Sequence, residues 1–342
     1  MVEAITDVTV SINVQQPQPK IGLGIPAIFA VGIEQTFKEY SSLDGLVKDF
    51  GENTTVYKKA KAVFAQVNMP KNIVVITYKE EDSAPDRLGT SGNIVKAAEE
   101  YFFENWHFAL LAEFESDTGL ALSNFIEEQK FKFLVLQVAK ASDLTPFAKN
   151  SLTIGLVHTL AEEYLDAALI GNTANLTVGS VTWKGRPNLI GITAQKLMVS
   201  NLEEIHKAGG LAYVEKAGIP QTSEGKTISG EFIDSLHGDH WIKSNIESRL
   251  QRLLSNTDKI TFDSNGIALL RNELTTVFEE AFSNGIIDVV DETGNGNYSI
   301  TALQRTDLKP EDIAARNYKG LSFTYKRSGA IHSVDVSGTI EV

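Results

Sequence analysis

From His332 to Val342 apolar and polar positions alternate. Val334, Val336, Ile340 and Val342 fall on one face, and Ser333, Asp335, Ser337, Thr339 and Glu341 on the other. Period-two alternation predicts a half-buried strand, because successive side chains point to opposite sides of a sheet. Gly338 interrupts the apolar face, a sign of a bulge or of a second backbone lying close. Near the amino terminus Val8, Val10, Ile12 and Val14 alternate with Thr9, Ser11 and Asn13 in the same way. Pro17 and Pro19 follow in a Gln-rich stretch, which predicts an extended spacer of roughly 18 Å at ~3.1 Å per residue. Neither strand has an adjacent hairpin partner in the sequence. Three arrangements are open: the strands pair with each other, since chain ends often lie close together, each pairs with another molecule, or the ends are disordered tails. An unpaired apolar edge is an aggregation hazard unless pairing is its purpose.

Between these arms the hydrophobic pattern changes character. Residues 26–33 and 73–78 are near-continuous apolar runs, as are 108–114, 131–138 and 152–157. Such runs predict strands buried on both faces. Segments with helical spacing separate them, including 41–68, a helix carrying Ile94, Val95, Ala98 and Phe102, residues 118–129, and 161–170. Strands alternating with helices of this length predict βαβ units and a mainly parallel sheet.

Residues 171–186 shift to Gly, Asn and Thr, and mark a domain boundary or a return crossing. Beyond it we expect a helix over 194–208, a strand over 211–216, and a polar loop over 218–230. Ile242, Ile246, Leu250, Leu253 and Leu254 then form one face of a helix. Ile267, Leu270, Leu274, Val277, Phe278 and Ala281 form the stripe of a second. The second is preceded by cap candidates Asp263, Ser264 and Asn265 and ended by Asn284-Gly285. A short helix opened by Pro310 and a strand over 321–325 complete the pattern. The expected fold is α/β, α+β overall. A βαβ-type mixed-sheet domain spans 23–180 and a smaller C-terminal α+β domain 181–328. An N-terminal arm with its spacer occupies 1–22, and a C-terminal strand 329–342.

Composition narrows the function. The formal net charge of −13 argues against a nucleic-acid binder, which would carry a basic domain or stripe. It suits a chain that must stay soluble at high concentration before assembling. Without cysteine, disulfides and thiolate metal sites are excluded. No apolar run approaches ~18 residues, so no membrane insertion is expected, and the first residues do not resemble a signal peptide.

Catalytic chemistry is hard to find. Gly225-Lys226-Thr227 ends like a phosphate-binding loop, but Pro220 stands where the first glycine belongs and no helix follows. Gly22-Leu23-Gly24 precedes a strand rather than following one, so it is no dinucleotide fingerprint. His237 and His240, with Asp234 and Asp239, are the nearest thing to a metal set. They are read as preceding the helix, with Asp239 or Ser235 as its cap and Trp241 as a core anchor. His107, His158, His206 and His332 are isolated. No catalytic, cofactor or metal residue is assigned.

Several ordered segments carry a family resemblance: Lys184-Gly185-Arg186-Pro187, Gly209-Gly210-Leu211-Ala212-Tyr213 and Ile228-Ser229-Gly230-Glu231-Phe232-Ile233-Asp234. They continue with Asp239-His240-Trp241-Ile242, residues 259–267, Asn284-Gly285-Ile286-Ile287, Ala315-Arg316 and Gly329-Ala330-Ile331-His332. Over about 160 residues their order resembles the contractile tail sheath proteins of bacteriophages and related phage-tail-like particles. The N-terminal half matches only in type. The resemblance implies a non-enzymatic subunit of a virion tail or phage-tail-like particle, assembled in the cytoplasm of a host bacterium. It implies copies stacked as hexameric rings around a tail tube, with baseplate and tail terminator proteins as partners and no direct nucleic-acid contact. On triggering, such a sheath shortens and drives the tube through the target envelope. The resemblance also favours exchange of the arms between subunits, with Val8, Val10, Ile12, Val14, Val334, Val336, Ile340 and Val342 in the linking strands. It places 181–328 inside against the tube, with a tube contact near Lys309 and Arg316, and 23–180 outside. The chain is short for the family, so a further outer domain is not expected. The competing readings are a cytoplasmic α/β enzyme or small-molecule binder using the crevice at the sheet's carboxyl ends, and another phage tail structural protein.

Overall fold

A computed structural model describes residues 23–79 and 89–338. The chain begins with strand β1 (Pro26–Gly32), the edge strand β2 (Thr36–Tyr40), helices α1 (Leu43–Phe50) and α2 (Thr55–Phe64), and strand β3 (Ile73–Lys79). Then come α3 (Gly89–Glu100), β4 (Phe108–Leu111), α4 (Ser116–Gln129), β5 (Phe133–Val138), β6 (Thr153–Val157) and α5 (Leu165–Thr173). With α6 (Val199–Lys207) and β7 (Gly210–Leu211) they build a seven-stranded sheet of order β2-β3-β1-β4-β5-β6-β7. Only β2 runs antiparallel. The apolar runs are explained by cover on both faces, with α3 packed on α4 on one side and α2 on α5 on the other. A Cβ at Gly171 would stand 2.6 Å from the Val63 carbonyl oxygen, so glycine there lets α5 approach α2 closely.

The sheet is therefore mixed, as expected, but β2 was not legible as a strand. Its Lys38 and Glu39 are exposed, and only Tyr40 is buried. Charges on an edge strand discourage pairing with other chains. Other expectations shift at their boundaries. Lys130 and Lys132 adopt φ of 51° and 72°, so β5 starts two residues later than the apolar run. Helix α5 starts at Leu165 rather than 161 because Glu163 is held by the Thr193 amide (2.7 Å) and by His158 (2.9 Å). Residues 194–198 are not helical: the Gln195 amide donates to the Tyr213 carbonyl and its side chain to the Val157 carbonyl. The strand expected over 211–216 divides at Ala212. Beyond it β8 (Tyr213–Lys216) pairs antiparallel with β9 (Ile219–Thr222), inside the stretch read as loop.

The remaining elements are α7 (Ile233–Asn256), α8 (Ser264–Ser283), β10 (Tyr298–Ala302), α9 (Pro310–Ala314) and β11 (Leu321–Tyr325). Helix α7 begins eight residues before Trp241, which places His237, Asp239 and His240 within it rather than ahead of it. The reason is chemical. Between residues 237 and 247 it buries His237, His240, Lys243, Ser244 and Glu247, a polar stripe that hydropathy does not register. Helix α8 behaves as read: the Asp263 carboxylate accepts from the Gly266 amide (2.9 Å), and Gly285 takes φ 82° just past the end.

Two apolar cores result. The larger surrounds the sheet and includes Trp183, Leu189, Ile205, Tyr213 and Ile233. The smaller joins Ile242, Ile246 and Leu250 of α7 to Leu274, Val277, Phe278 and Ala281 of α8 and to one face of β10–β11. Helix α7 belongs to both.

Candidate functional site

Strands β10 and β11 form a separate two-stranded sheet. Their exposure alternates strictly. Tyr298, Ile300, Leu321, Phe323 and Tyr325 face α8, where the Phe278 ring lies 5.1 Å from Tyr298 and 5.0 Å from Phe323. Ser299 and Thr324 face outward and share a hydrogen bond of 2.8 Å. The register pairs Tyr298 with Tyr325, and the Leu303 amide donates to the Gly320 carbonyl (2.9 Å). Bonded and non-bonded pairs alternate in an antiparallel ladder. Ile300 and Ala302 on one strand, and Leu321 and Phe323 on the other, therefore turn their N–H and C=O groups away from the partner strand. Among the described residues no third strand covers these edges. A lone hairpin is marginal in water, so this ribbon depends on α8 beneath it.

The chain beyond β11 leaves from a fixed root. The Ser328 amide donates to the Ile286 carbonyl (2.9 Å), and Asp239 on α7 accepts from the Arg327 guanidinium and the Tyr325 hydroxyl. Thus Asp239 is neither a cap nor a ligand but the tie between α7 and the end of β11. Nε2 of His332 lies 3.0 Å from the Thr182 hydroxyl, its Nδ1 3.6 Å from Glu224, and its ring edge-on to Phe232. Past His332 the chain stands clear: Val334 is 75% and Val336 89% exposed, and neither sits in a strand of this chain. The other linking-strand residues, Val8, Val10, Ile12, Val14, Ile340 and Val342, lie outside the described residues. Lys309 and Arg316 flank α9 on the surface; Lys309 is its N-cap, and Arg316 follows it with φ 55°.

Where α7 crosses to the sheet, His237 and His240, read together in the sequence, are joined by His107, which was read as isolated. His107 Nε2 and His240 Nδ1 share a hydrogen bond of 3.1 Å, His107 stacks on His237 at 5.5 Å, and His237 Nε2 donates to the Leu23 carbonyl (2.8 Å). Burial pushes all three below the ordinary imidazole range, His237 to about 4. Lys132, whose ammonium lies 3.7 Å from the Trp106 ring centroid and donates to the Glu104 carbonyl (3.2 Å), is likewise pushed well below its usual value by burial. Lys243 pairs with Glu247 one turn along α7 at 3.0 Å, both buried. His107 Nε2, His240 Nδ1 and His237 Nε2 are spent on one another and on backbone, while His107 Nδ1 is buried without a partner; among the described residues no group of three His, Asp or Glu side chains is placed to hold a metal. The spacing of His237 and His240, three apart on one helix face, was the available signal; His107 comes from a distant strand end.

A cavity of about 350 Å³ lies between Leu23, Gly24, residues 174–178 and Trp241, Ser244 and Ser248 of α7. It sits before β1, at the amino end of the sheet, whereas doubly wound sheets bind ligands beyond the carboxyl ends of their strands. Trp241 lines this opening while packing, half-buried, against the smaller core.

Neither a family model nor a curated protein sequence matches the chain. Solved structures do. A chain of the anti-feeding prophage baseplate superposes with a TM-score of 0.72 at 10% identity, covering 100% of both chains. The anti-feeding prophage helical sheath in its contracted state gives 0.69 at 10% identity over 99% of each. A sheath tail protein from Listeria innocua gives 0.57 at 11% identity, over 91% of this chain and 96% of that one. At such identity the likeness speaks to architecture, and it runs through both cores and the ribbon: the chain has the contractile tail sheath fold.

Proposed function

We propose that the chain is a structural subunit of a contractile sheath, not an enzyme. Copies stack as hexameric rings around a tail tube, between baseplate and terminator, and shorten together to drive the tube through a cell envelope. Strands from 8–14 and 334–342 of neighbouring copies add to the open edges of β10 and β11. Each added backbone hydrogen bond contributes ~0.5–1.5 kcal/mol net, and branched side chains are buried as well. Such head-to-tail contacts do not close on themselves, so they propagate as a helical lattice. The α7–α8 core lies inward with a tube contact at Lys309 and Arg316, and the large sheet lies outward. The observation that supports this reading is the ribbon: two strand edges uncovered among the described residues, beside an exposed, alternating segment, in a chain similar in fold to sheath proteins.

Electron microscopy of the full-length protein beside a chain ending at Ser328 tests it. Hollow striated tubes from the first and dispersed particles from the second are expected. Identical small particles from both would remove the arm-linked lattice.

A further inference from the structure

The two ends of the large sheet carry complementary unpaired groups. Strands β1 and β3 run parallel, from Ala27↔Val74 to Gly32↔Lys79. The turn after β1 is therefore at the carboxyl end of the sheet, and the loop between α2 and β3 at the amino end. That loop is fastened on three sides. Gln66 exchanges hydrogen bonds with the Ile190 backbone (2.9 and 3.0 Å), the Asn68 amide donates to the Asn172 carbonyl (3.0 Å), and the Asn175 amide donates to the Met69 carbonyl (3.3 Å). The apolar side chains it carries are left outside: Val67 is 79% exposed, with Met69 and Ile190 beside it.

Arg186 lies in the same patch, its Nη2 donating to Asn172 Oδ1 at 3.0 Å. It is half-buried, its Nε has no partner, and among the described residues it meets no carboxylate. Burial alone shifts it, downward. A guanidinium held this way within an apolar surround is the composition of an interface hot spot, not of free surface.

The opposite end has the counterpart. Val31 and Ile33 are exposed, Ile33 at 94%, and Glu34 beside them is exposed with no cation partner among the described residues. This knob is fixed, because the Thr77 hydroxyl donates to the Glu34 carbonyl (2.7 Å). We infer that the carboxyl-end knob of one copy, Ile33 and Glu34, docks on the amino-end patch of a second copy, with Glu34 against Arg186 and Ile33 against Val67 and Met69. The inference rests on the sheath reading above and deepens it: besides the arms, the large sheets meet end to end. The charges are opposite and otherwise unpaired, and the contact joins different faces of the same chain, so it repeats instead of closing.

A charge swap on the full chain tests it. Pelleting of polymer is measured for wild type, Arg186→Glu, Glu34→Arg and the double variant, each first checked for an unchanged thermal melt. Each single reversal is expected to raise the concentration needed for polymer about tenfold, and the double variant to return it to near the wild-type value. The chain has no cysteine, so Val67→Cys carries a photo-cross-linker at one site. Covalent dimers joined to the peptide around Ile33 are expected in polymer only. Equal pelleting by all four proteins, or cross-links to any other segment or to a tube protein, would overturn the contact while leaving the sheath reading intact. Empty pellets from all four, wild type included, would instead overturn the sheath reading and this contact with it.

Discussion

The seven-stranded sheet and the β10–β11 ribbon satisfy their backbone hydrogen bonds in opposite ways. In the sheet, β1 has neighbours on both sides and its first five residues are buried, so its groups are fully used within one copy. In the ribbon each strand has one neighbour and buries only one face, so half of its bonding capacity points away. The sheet satisfies itself within one copy, and the ribbon, among the described residues, does not. Under the sheath reading proposed above, stability of the single copy and cohesion between copies would reside in different elements.

That contrast can be broken by mutation. Phe133→Ala, in a strand residue with no exposure, is expected to cost ~3–5 kcal/mol, seen as a large fall in the urea midpoint with loss of every other property. Phe323→Ala, half-buried on β11, is expected to cost roughly 1–2 kcal/mol and to leave a folded monomer that polymerises poorly. The reverse ranking would mean that the ribbon, not the sheet, holds the copy together. A smaller effect comes from pH, where α7 meets the sheet. His237 is depressed from 6.5 to about 4, so the unfolded chain takes up its proton first as pH falls. Its contribution is complete above ~pH 6.5 and is lost between there and about 4, roughly 2 kcal/mol by pH 5. His107 and His240, held well below the ordinary range first by burial and then by neighbouring imidazoles and cations, add to the loss and extend it to lower pH. Urea titrations at pH 7 and 5 should show the drop in wild type and a flatter response in His237→Gln; equal slopes would show that the junction does not govern acid sensitivity. The smallest effect on stability is expected from Arg316→Glu, within about 0.5 kcal/mol because the residue is exposed. Its effect should appear in co-sedimentation with tube protein, and unchanged co-sedimentation would remove the tube contact at α9.

What the sequence revealed follows from how each element is stabilised. The parallel strands were legible because burial on both faces writes an uninterrupted apolar run, as in Ile73–Lys79. Helix α8 was legible because its caps and stripe are local. Strand β2, with Lys38 and Glu39, and strand β10, Tyr298–Ala302, were not, because each is defined by the strand it pairs with. The first half of α7 was hidden for another reason. It is buried through His237, His240 and Lys243, whose partners His107, Leu23 and Phe131 lie more than a hundred residues away in the chain. Of the proposed linking residues, Val334 and Val336 stand exposed on the surface. The Glu34 and Arg186 ends carry no local pattern at all; only the direction of the strands sets them apart.

Helix α7 also has a mechanical meaning. Its 24 residues form a rod of about 36 Å with one half in each core. Tension applied through residues 328–338 reaches it at Asp239, by way of Arg327. From there the load passes along a continuous backbone ladder to the sheet without crossing a loop. Under the proposed arm exchange, a neighbour's pull on this segment would load α7 directly, so that both cores would be drawn on together.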